Sequence, residues 1–190
     1  MKPTIVLPPQ DFLQECFSYN EETGELIWKE RPRHHFKEEY AWRRFNTRSA
    51  GTEASVILYN NGSRTRVTSK RVKFTYQGVK LYPALHRIIF AMKGIEVPDG
   101  KFIDHKNCDP TDNRWENLRI CTPSQNSQNK HNQRNKNVPK GVSTSKGKFR
   151  ASVMVDGRQV RMYGFETEEE AHKVYCLVSK ALHGDFHRPA

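Results

Sequence analysis

Residues 102–126 of this chain read FIDHKNCDPTDNRWENLRICTPSQN. Asp104 and His105 stand side by side in this stretch, and asparagines follow them at three positions. These are Asn113, Asn117 and Asn126. Turn-forming Asn, Asp and Pro residues lie between, so a carboxylate, an imidazole and several amides fall within one short segment. Such a set can hold one hard metal ion beside one general base.

The predicted order of elements around this stretch is strand, strand, helix. Phe102 and Ile103 predict a short strand that carries the Asp-His pair at its end, and apolar residues over 115–120 predict a second strand or a turn that packs against it. The sequence TPSQ at 122–125 has the N-cap threonine and third-position glutamine of a capping box. Asn126 then falls in the first helical turn and can face the strands. By spacing alone, an Asn-rich and Asp-rich loop without a site fits equally well.

Phosphodiester hydrolysis is the chemistry that these side chains fit. The reaction needs an activated water, neutralised phosphoryl oxygens and help for the departing oxygen. His105 is the candidate general base, because a neutral imidazole can take a proton from water. Asp104 and Asn126 are the candidate ligands of one divalent ion, and Asn117 can orient the imidazole through a hydrogen bond.

The chain is strongly basic, which favours a polyanionic partner. Its 190 residues include 32 Lys and Arg against 21 Asp and Glu, a formal charge of +11, and such a balance points first to nucleic acid. The four cysteines are scattered without a CxxC pair, which argues against a zinc knuckle or a disulfide framework. The sequence has no long apolar run and no signal-peptide core, which predicts a soluble intracellular protein.

The N-terminal part predicts a short helix over 11–17, a hairpin that turns at 22–24, a charged irregular loop over 29–50 and strands over 54–80 with turns at 60–62 and 77–78. A break in the alternation over 68–70 indicates a bulge or a turn there. No acidic residue lies within 55–94. The strands therefore form either a surface that meets phosphate or a solvated edge protected by Lys and Arg. The candidate phosphate contacts are Arg64, Arg66, Lys70 and Arg71.

Histidines occur at two further places. His34 and His35 lie in the predicted loop and are interpreted as solvated, because no partner ligands lie at helical spacing nearby. His86 lies on a helix predicted over 83–93 from its apolar periodicity. A packed, hydrogen-bonded His86 is the favoured interpretation, and support of the site from a distance is the alternative.

From residue 140 the pattern changes to a small sheet covered by one helix. Alternation over 149–153, a hairpin turn at 156–157 and a capping box at 167–170 predict these elements. Between positions 130 and 161 there are nine Lys or Arg and one acidic residue. The open face of the sheet is therefore predicted to be basic, and a basic β-ribbon can fit a DNA groove.

The segment LHRIIF…IDHKNCDPTDNRWENLR…QN resembles HNH homing-type endonucleases, in the phage subfamily that has Asn in place of the last His. The resemblance implies a ββα-metal fold that cleaves or nicks DNA with one divalent ion, Mg²⁺ or Mn²⁺. It implies that Asp104 and Asn126 bind the metal, that His105 is the base, and that Asn117 is the middle Asn. Residues 107–109 read Asn-Cys-Asp, where related motifs often have Asn-Gly-Asp. The supporting residues would be His86 and Asn113.

Residues 140–186 resemble the Apetala-type, ethylene-response-factor DNA-binding domain. That domain lays a three-stranded sheet in the major groove and backs it with one helix. Ser143 stands where an Arg is usual, and this part of the chain contains no Trp. DNA binding is implied without a particular target sequence. The matching and neighbouring polar positions are Lys140, Ser143, Lys146, Lys148, Arg150, Arg158 and Arg161.

Together these patterns predict an α+β protein. It would have an N-terminal β-rich DNA-contacting extension (1–80), an HNH ββα-metal nuclease motif (81–130), a linker (131–139) and a C-terminal three-stranded antiparallel sheet packed on one helix (140–190). The predicted function is a metal-dependent endonuclease acting on double-stranded DNA in the host-cell cytoplasm, with no membrane and no obligate protein partner. The alternative is a DNA-binding regulator with an inactive nuclease motif. RNA binding is disfavoured, because the C-terminal sheet has few aromatic residues to expose.

Overall fold

The chain has a mixed α/β fold with small sheets, as the sequence predicts. It divides into two compact units, the first of Met1–Asp99 with Asp109–Arg119 and the second of Gly100–Cys108 with Ile120–Ala190. The four-part domain division inferred from the sequence stays a prediction. Within the described ranges, no helix is both long and apolar enough to span a membrane. The computed structural model describes residues 6–59, 67–129, 138–155 and 157–187.

The first unit begins with the predicted helix and hairpin. Helix α1 (Gln10–Cys16) runs directly into β1 (Phe17–Tyr19), which pairs antiparallel with β2 (Leu26–Trp28). The turn between the strands contains Gly24, whose φ is +75°. A Cβ at this position would lie 2.5 Å from the backbone nitrogen of Arg114. Only glycine therefore allows the hairpin to approach that backbone so closely.

Residues 29–50 are not the irregular loop that their charge pattern predicts. A 3₁₀ turn (Arg33–His35) and helix α2 (Glu39–Ser49) form there. The reason is tertiary: α2 gains its stability from contacts around the buried Arg31 rather than from an apolar stripe of its own. The indole N–H of Trp42, for example, donates to the carbonyl of Arg31 at 2.9 Å. The guanidinium carbon of Arg31 lies 4.8–6.0 Å from the ring centres of Phe12, Trp28, Phe36 and Phe45.

Two antiparallel strand pairs follow. Strand β3 (Ser55–Tyr59) pairs with β4 (Val67–Val72), and β5 (Phe74–Tyr76) pairs with β6 (Val79–Leu81). The register of β3 and β4 shifts between Leu58 and Tyr59, which agrees with the bulge or turn expected from the broken alternation in β4. The turn predicted at 60–62 lies outside the described residues.

Helix α3 (Leu85–Met92) supplies much of the core of the first unit. Pro83 lies just before the helix rather than in its first turn, where the sequence predicted it. The side-chain amides of Gln10 and Gln14 donate to the carbonyl of Met92 at 2.9 and 2.8 Å, and so tie α1 to the end of α3. The buried residues of α3 are Leu85, Ile88, Ile89 and Phe90.

The strand, strand and helix predicted for the stretch 102–126 are present. Strand β7 (Phe102–His105) pairs with β8 (Leu118–Cys121), and the boundary between the units falls within β8. Helix α4 (Pro123–Gln128) packs against β7. It begins with the predicted capping box. The backbone N–H of Gln125 donates to Oγ1 of Thr122 at 3.2 Å, and that of Thr122 donates to Oε1 of Gln125 at 2.8 Å.

The rest of the second unit is an antiparallel sheet in the order β11-β10-β9 with one helix against it. Its strands are β9 (Val142–Ser145), β10 (Lys148–Val155) and β11 (Arg158–Phe165). Helix α5 (Glu168–His183) starts at the predicted capping box and packs on β10. The buried residues of this small core are Ala151, Val153 and Tyr175.

Replacing Gly24 by Ala is expected to lower the free energy of unfolding by about 2–4 kcal/mol, because the new methyl group meets backbone as well as an unfavourable φ. Gly51 is the matched control. Its φ is +79°, and within the described structure nothing lies within 4 Å of an added Cβ, so Gly51→Ala should cost only about 1–2 kcal/mol. Urea unfolding followed by tryptophan fluorescence measures both. Equal losses of unfolding free energy in the two variants would contradict the close approach of Gly24 to the backbone of Arg114.

Candidate active site

The carboxylate and the imidazole of the candidate site lie at the end of β7. Asp104 and His105 are each only 8% exposed. Consecutive residues of a strand point to opposite sides, so the burial of both means that the end of β7 is covered on both sides. Buried polar groups of this kind are costly unless they are hydrogen-bonded. The partners around them therefore define the site.

Asn129, the residue directly after α4, holds this end of β7. Its Nδ2 donates to Oδ2 of Asp104 at 2.9 Å and to the backbone carbonyl of His105 at 2.8 Å, and the residue is 3% exposed. The sequence analysis missed Asn129, because it lies in a run of Asn and Gln residues. The signal that could have found it is its spacing of three from Asn126, which puts both on one side of a helix.

Cys108 closes the turn that follows β7. Its φ is +62°, a conformation that glycine adopts most readily, in agreement with the Gly that related motifs often have here. Its backbone N–H donates to the carbonyl of His105 at 2.9 Å. Its thiol donates to the backbone carbonyl of Asn129 at 2.7 Å. Cys108 therefore links the turn to the end of α4.

Asn126 lies where the capping box predicts it, in the first turn of α4. It is half-buried, and its backbone N–H donates to the carbonyl of Thr122 at 2.9 Å. The capping box fixes where the helix begins and therefore which turn carries Asn126. Its role as a metal ligand stays a prediction.

Asn113 and Asn117 belong to the first unit, where both are buried. The Nδ2 of Asn117 donates to the carbonyl of Asp112 at 2.7 Å, and that of Asn113 donates to a carbonyl two residues before it at 3.1 Å. The hydroxyl of Tyr19 in β1 donates to the carbonyl of Asn113 at 2.7 Å. The N-terminal hairpin thus supports this segment. His86 is half-buried on α3, and the roles of these three polar residues at the site stay predictions.

The basic residues predicted on β4 contact the protein itself. The ammonium group of Lys70 lies 3.1 Å from Oε1 of Glu53, and Nη1 of Arg71 donates to the carbonyl of Tyr82 at 3.0 Å. Both cations therefore have partners within the first unit. The other two candidates on this surface, Arg64 and Arg66, lie outside the described residues.

The open face of the C-terminal sheet carries several of the predicted DNA contacts. Arg150 pairs with Ser143 on one side and Tyr163 on the other, and Ser152 pairs with Arg161. Directly paired residues share one face of an antiparallel sheet, and this face is opposite to the one that buries Ala151 and Val153 under α5. Nε of Arg150 donates to Oγ of Ser143 at 2.8 Å. Lys148 alternates with Arg150 onto the same face.

Three predicted contacts lie elsewhere in the second unit. The ammonium group of Lys140 donates to the carbonyl of Gln128 at 2.6 Å, at the C-terminal end of α4. Lys146 occupies the β9–β10 turn with a φ of +52°. Arg158 pairs with Val155 at the end of the sheet, in register with the side that α5 covers. None of these three shares the face of Arg150.

The sequence predicted that His34 and His35 are both solvated, but the side chain of His35 is not. The His35 side chain is 2% exposed, and its Nε2 lies 2.7 Å from Oε2 of Glu15. Glu15, His34 and His35 bring three potential ligand atoms within 4.8 Å of one another. However, Nδ1 of His35 accepts from Nε of Arg31 at 3.3 Å, so the ring proton lies on Nε2. A metal ion would need that nitrogen, and we therefore interpret the cluster as an imidazole–carboxylate contact.

Burial lowers the pKa of His35, and the neighbouring Arg31 guanidinium lowers it further. In the unfolded chain the imidazole regains its ordinary pKa of 6.5. The unfolded state therefore binds a proton first as the pH falls. The contribution of His35 to stability is present above about pH 6.5 and is lost below it.

We expect His35→Gln to reduce the loss of stability between about pH 7.5 and about pH 5.5, because the variant removes one group with a lowered pKa. The free energy of unfolding in urea, measured at each pH, gives the slope. His34→Gln is the matched control, since that imidazole is exposed, and it should keep the wild-type slope. If the free energy of unfolding depends on pH equally in wild type and in His35→Gln, the lowered pKa of the buried His35 imidazole is contradicted.

Comparisons with known proteins agree with the motif at β7. A family model described as HNH endonuclease matches residues 84–128. The chain is 36% identical over 108 residues to an uncharacterized HNH endonuclease of Acanthamoeba polyphaga mimivirus, an alignment of 55% of this chain and 56% of that protein. It is 30% identical over 109 residues to Protein 3.8 of Escherichia phage T7, an alignment of 56% of this chain and 89% of that protein. The chain thus spans little more than half of the mimiviral protein. No solved structure matches the chain.

Proposed function

Because this chain belongs to the HNH endonuclease family, we propose that it hydrolyses phosphodiester bonds in double-stranded DNA with the help of one divalent ion. The observation that carries the proposal is the buried Asp104–His105 pair, which Asn129 fixes at the end of β7. Both residues lie in the stretch that matches the family. A carboxylate and an imidazole held in fixed geometry on a strand are suited to a reaction that needs a metal ligand beside a general base.

The residues present fit a hard divalent ion. Asp104 offers a carboxylate oxygen, and Asn126 in the first turn of α4 offers an amide oxygen. Oxygen ligands suit Mg²⁺ and Mn²⁺, and Mg²⁺ is commonly held by one or two carboxylates together with water and substrate phosphates. When bound, such an ion would neutralise charge on the phosphoryl oxygens and stabilise the departing oxygen.

His105 is the proposed general base. Its imidazole takes the proton of the attacking water, which requires the ring nitrogen to lie within hydrogen-bond reach of that water. Two donors fix its backbone carbonyl, Asn129 at 2.8 Å and Cys108 at 2.9 Å. A fixed backbone narrows the positions open to the ring. We propose that Asn117 orients the imidazole and that His86 and Asn113 support the site.

The open face of the C-terminal sheet is the proposed DNA-binding surface, in line with its resemblance to the Apetala-type domain. Lys148, Arg150 and Arg161 share that face with the exposed Tyr163. A β-ribbon of this kind can enter the major groove, where phosphate contacts give affinity and side chains read base edges. Lys70 and Arg71 belong to β4 and Lys140 precedes β9, so these three residues are not part of that face.

We also propose, from the resemblance alone, that the enzyme is of the phage homing type, uses Mg²⁺ or Mn²⁺, and acts in the cytoplasm of a host cell. Cleavage sites mapped on a genome fragment would test the homing type directly. Cuts confined to one or a few sequences are expected. Fragmentation spread uniformly over the DNA would contradict the homing type.

The change His105→Ala is expected to lower the rate of DNA cleavage by about 10²–10⁴-fold, because it removes the general base. Duplex DNA incubated with Mg²⁺, Mn²⁺ or EDTA provides the assay, and a gel-shift measurement with EDTA should give wild-type DNA affinity. His34→Gln is the histidine control and should cut at the wild-type rate.

Two outcomes would contradict this assignment. Equal cleavage by wild type and His105→Ala would exclude His105 as the base. If the wild-type protein binds DNA but leaves it intact with every metal and sequence tried, the function is that of a DNA-binding regulator.

The double change Arg150→Gln with Arg161→Gln is expected to weaken duplex binding and to make it less dependent on salt. Each phosphate contact removed should reduce the slope of log affinity against log salt by about 0.9. The matched control is Lys173→Gln with Lys180→Gln, which removes the same charge from exposed positions of α5. Fluorescence anisotropy over a salt series measures both. An equal loss of DNA affinity in the two double variants would contradict a role of the sheet face in DNA binding.

A further inference from the structure

We propose that Asn129 is a positioning residue, which sets the orientation of the Asp104 carboxylate and thereby the affinity of the protein for its divalent ion. The inference rests on the proposed function, because it takes Asp104 as a metal ligand. It concerns a residue that lies one position beyond the α4 helix and just outside the stretch that matches the family.

Asn129 uses both hydrogens of its side-chain amide. An NH₂ group has two N–H donors, and the structure gives both a partner: Oδ2 of Asp104 at 2.9 Å and the carbonyl of His105 at 2.8 Å. The second bond ties the amide to the backbone of β7, so the first holds the carboxylate in a defined rotation. Asn129 is 3% exposed, so bulk water cannot easily replace either bond.

Asn129 is itself held in place. Its backbone N–H donates to the carbonyl of Gln125 at 3.2 Å, which continues the hydrogen-bond ladder of α4. Its own carbonyl accepts from the thiol of Cys108 at 2.7 Å. Cys108 in turn donates from its backbone to the carbonyl of His105. The turn after β7 and the end of α4 therefore form a closed set of contacts around the Asp-His pair.

The donor to the Asp104 carboxylate carries no charge. An amide is neutral, so it orients the carboxylate without cancelling its negative charge. A Lys or Arg in the same place would compete with the metal ion for that charge. A neutral, buried donor behind a ligand carboxylate is the arrangement expected for a partner that orients a metal ligand, and loss of such partners typically costs about 10–100-fold in metal affinity.

Direct Mn²⁺ binding to the full chain in the absence of DNA provides the test, with free Mn²⁺ followed by electron paramagnetic resonance. Asn129→Ala is expected to bind Mn²⁺ about 10–100-fold more weakly than wild type. Gln128→Ala is the matched control: it removes a side chain of similar size from the neighbouring position, and it should keep wild-type affinity. The thermal midpoint is recorded for each variant. A lowered midpoint of Asn129→Ala with unchanged Mn²⁺ affinity would overturn the proposal and leave only a structural role.

A milder pair of variants keeps the test decisive should Asn129→Ala fail to fold. Cys108→Ala removes the donor that holds the carbonyl of Asn129, whereas Cys108→Ser keeps a donor there. Cys108→Ala is expected to weaken Mn²⁺ binding about three- to tenfold, the worth of one hydrogen bond, and Cys108→Ser should restore most of it. If both bind Mn²⁺ as wild type does, or both are equally impaired, the linkage through Asn129 is wrong.

Failure of this inference is distinguishable from failure of the proposed function. If wild type cleaves DNA and Asn129→Ala binds Mn²⁺ as tightly as wild type, only the inference fails. If Asp104→Ala and Asn129→Ala both weaken Mn²⁺ binding but no protein cuts DNA, the positioning role stands and the nuclease function fails. Unchanged Mn²⁺ affinity in Asp104→Ala would overturn the inference and the ligand role of Asp104, whereas the nuclease function is still decided by the cleavage assay.

Discussion

The amide of Asn129 supplies two of the hydrogen bonds that satisfy the polar groups buried at the end of β7. A carboxylate and a strand carbonyl lose their water there, and burial without replacement donors would cost several kcal/mol. Asn129 donates to both. The end of α4 at Gln128 fits this requirement, because the next residue, Asn129, then reaches β7. The capping box at Thr122 sets the other end of the same helix, so its length is fixed from both sides.

The first unit also buries a charged group, the guanidinium of Arg31, and stabilises it by contacts. Arg31 is 6% exposed, and burial lowers the pKa of its guanidinium, although arginine stays charged. Aromatic ring faces surround the group, and cations are attracted to such faces. Asn46 of α2 contacts the backbone of Arg31 twice, accepting from its N–H and donating to its carbonyl, each at 3.0 Å. The helix that the sequence failed to predict is therefore attached to the one charged residue at the centre of these rings.

Local signals account for what the sequence predicted well. The hairpin at Gly24 and the capping boxes at Thr122 and Thr167 depend on residues within a few positions of one another. Arg31 and Asn129 were missed for the opposite reason. Each acts on partners far along the chain, Asn129 on a residue 25 positions away, and neither stands out from its polar neighbours in the sequence. The candidate site residues were predicted from their residue types, whereas Arg31 and Asn129 were identified only by the contacts that they make in the structure.

The path of the chain through its two units has a consequence for how such proteins can be rearranged. The second unit begins at Gly100, is interrupted by Asp109–Arg119, which belongs to the first unit, and resumes at Ile120. Neither unit is one continuous segment. A single recombination crossover therefore cannot transfer either unit without part of the other, and a crossover within 109–119 would separate the Asp-His pair from Asn126 and Asn129.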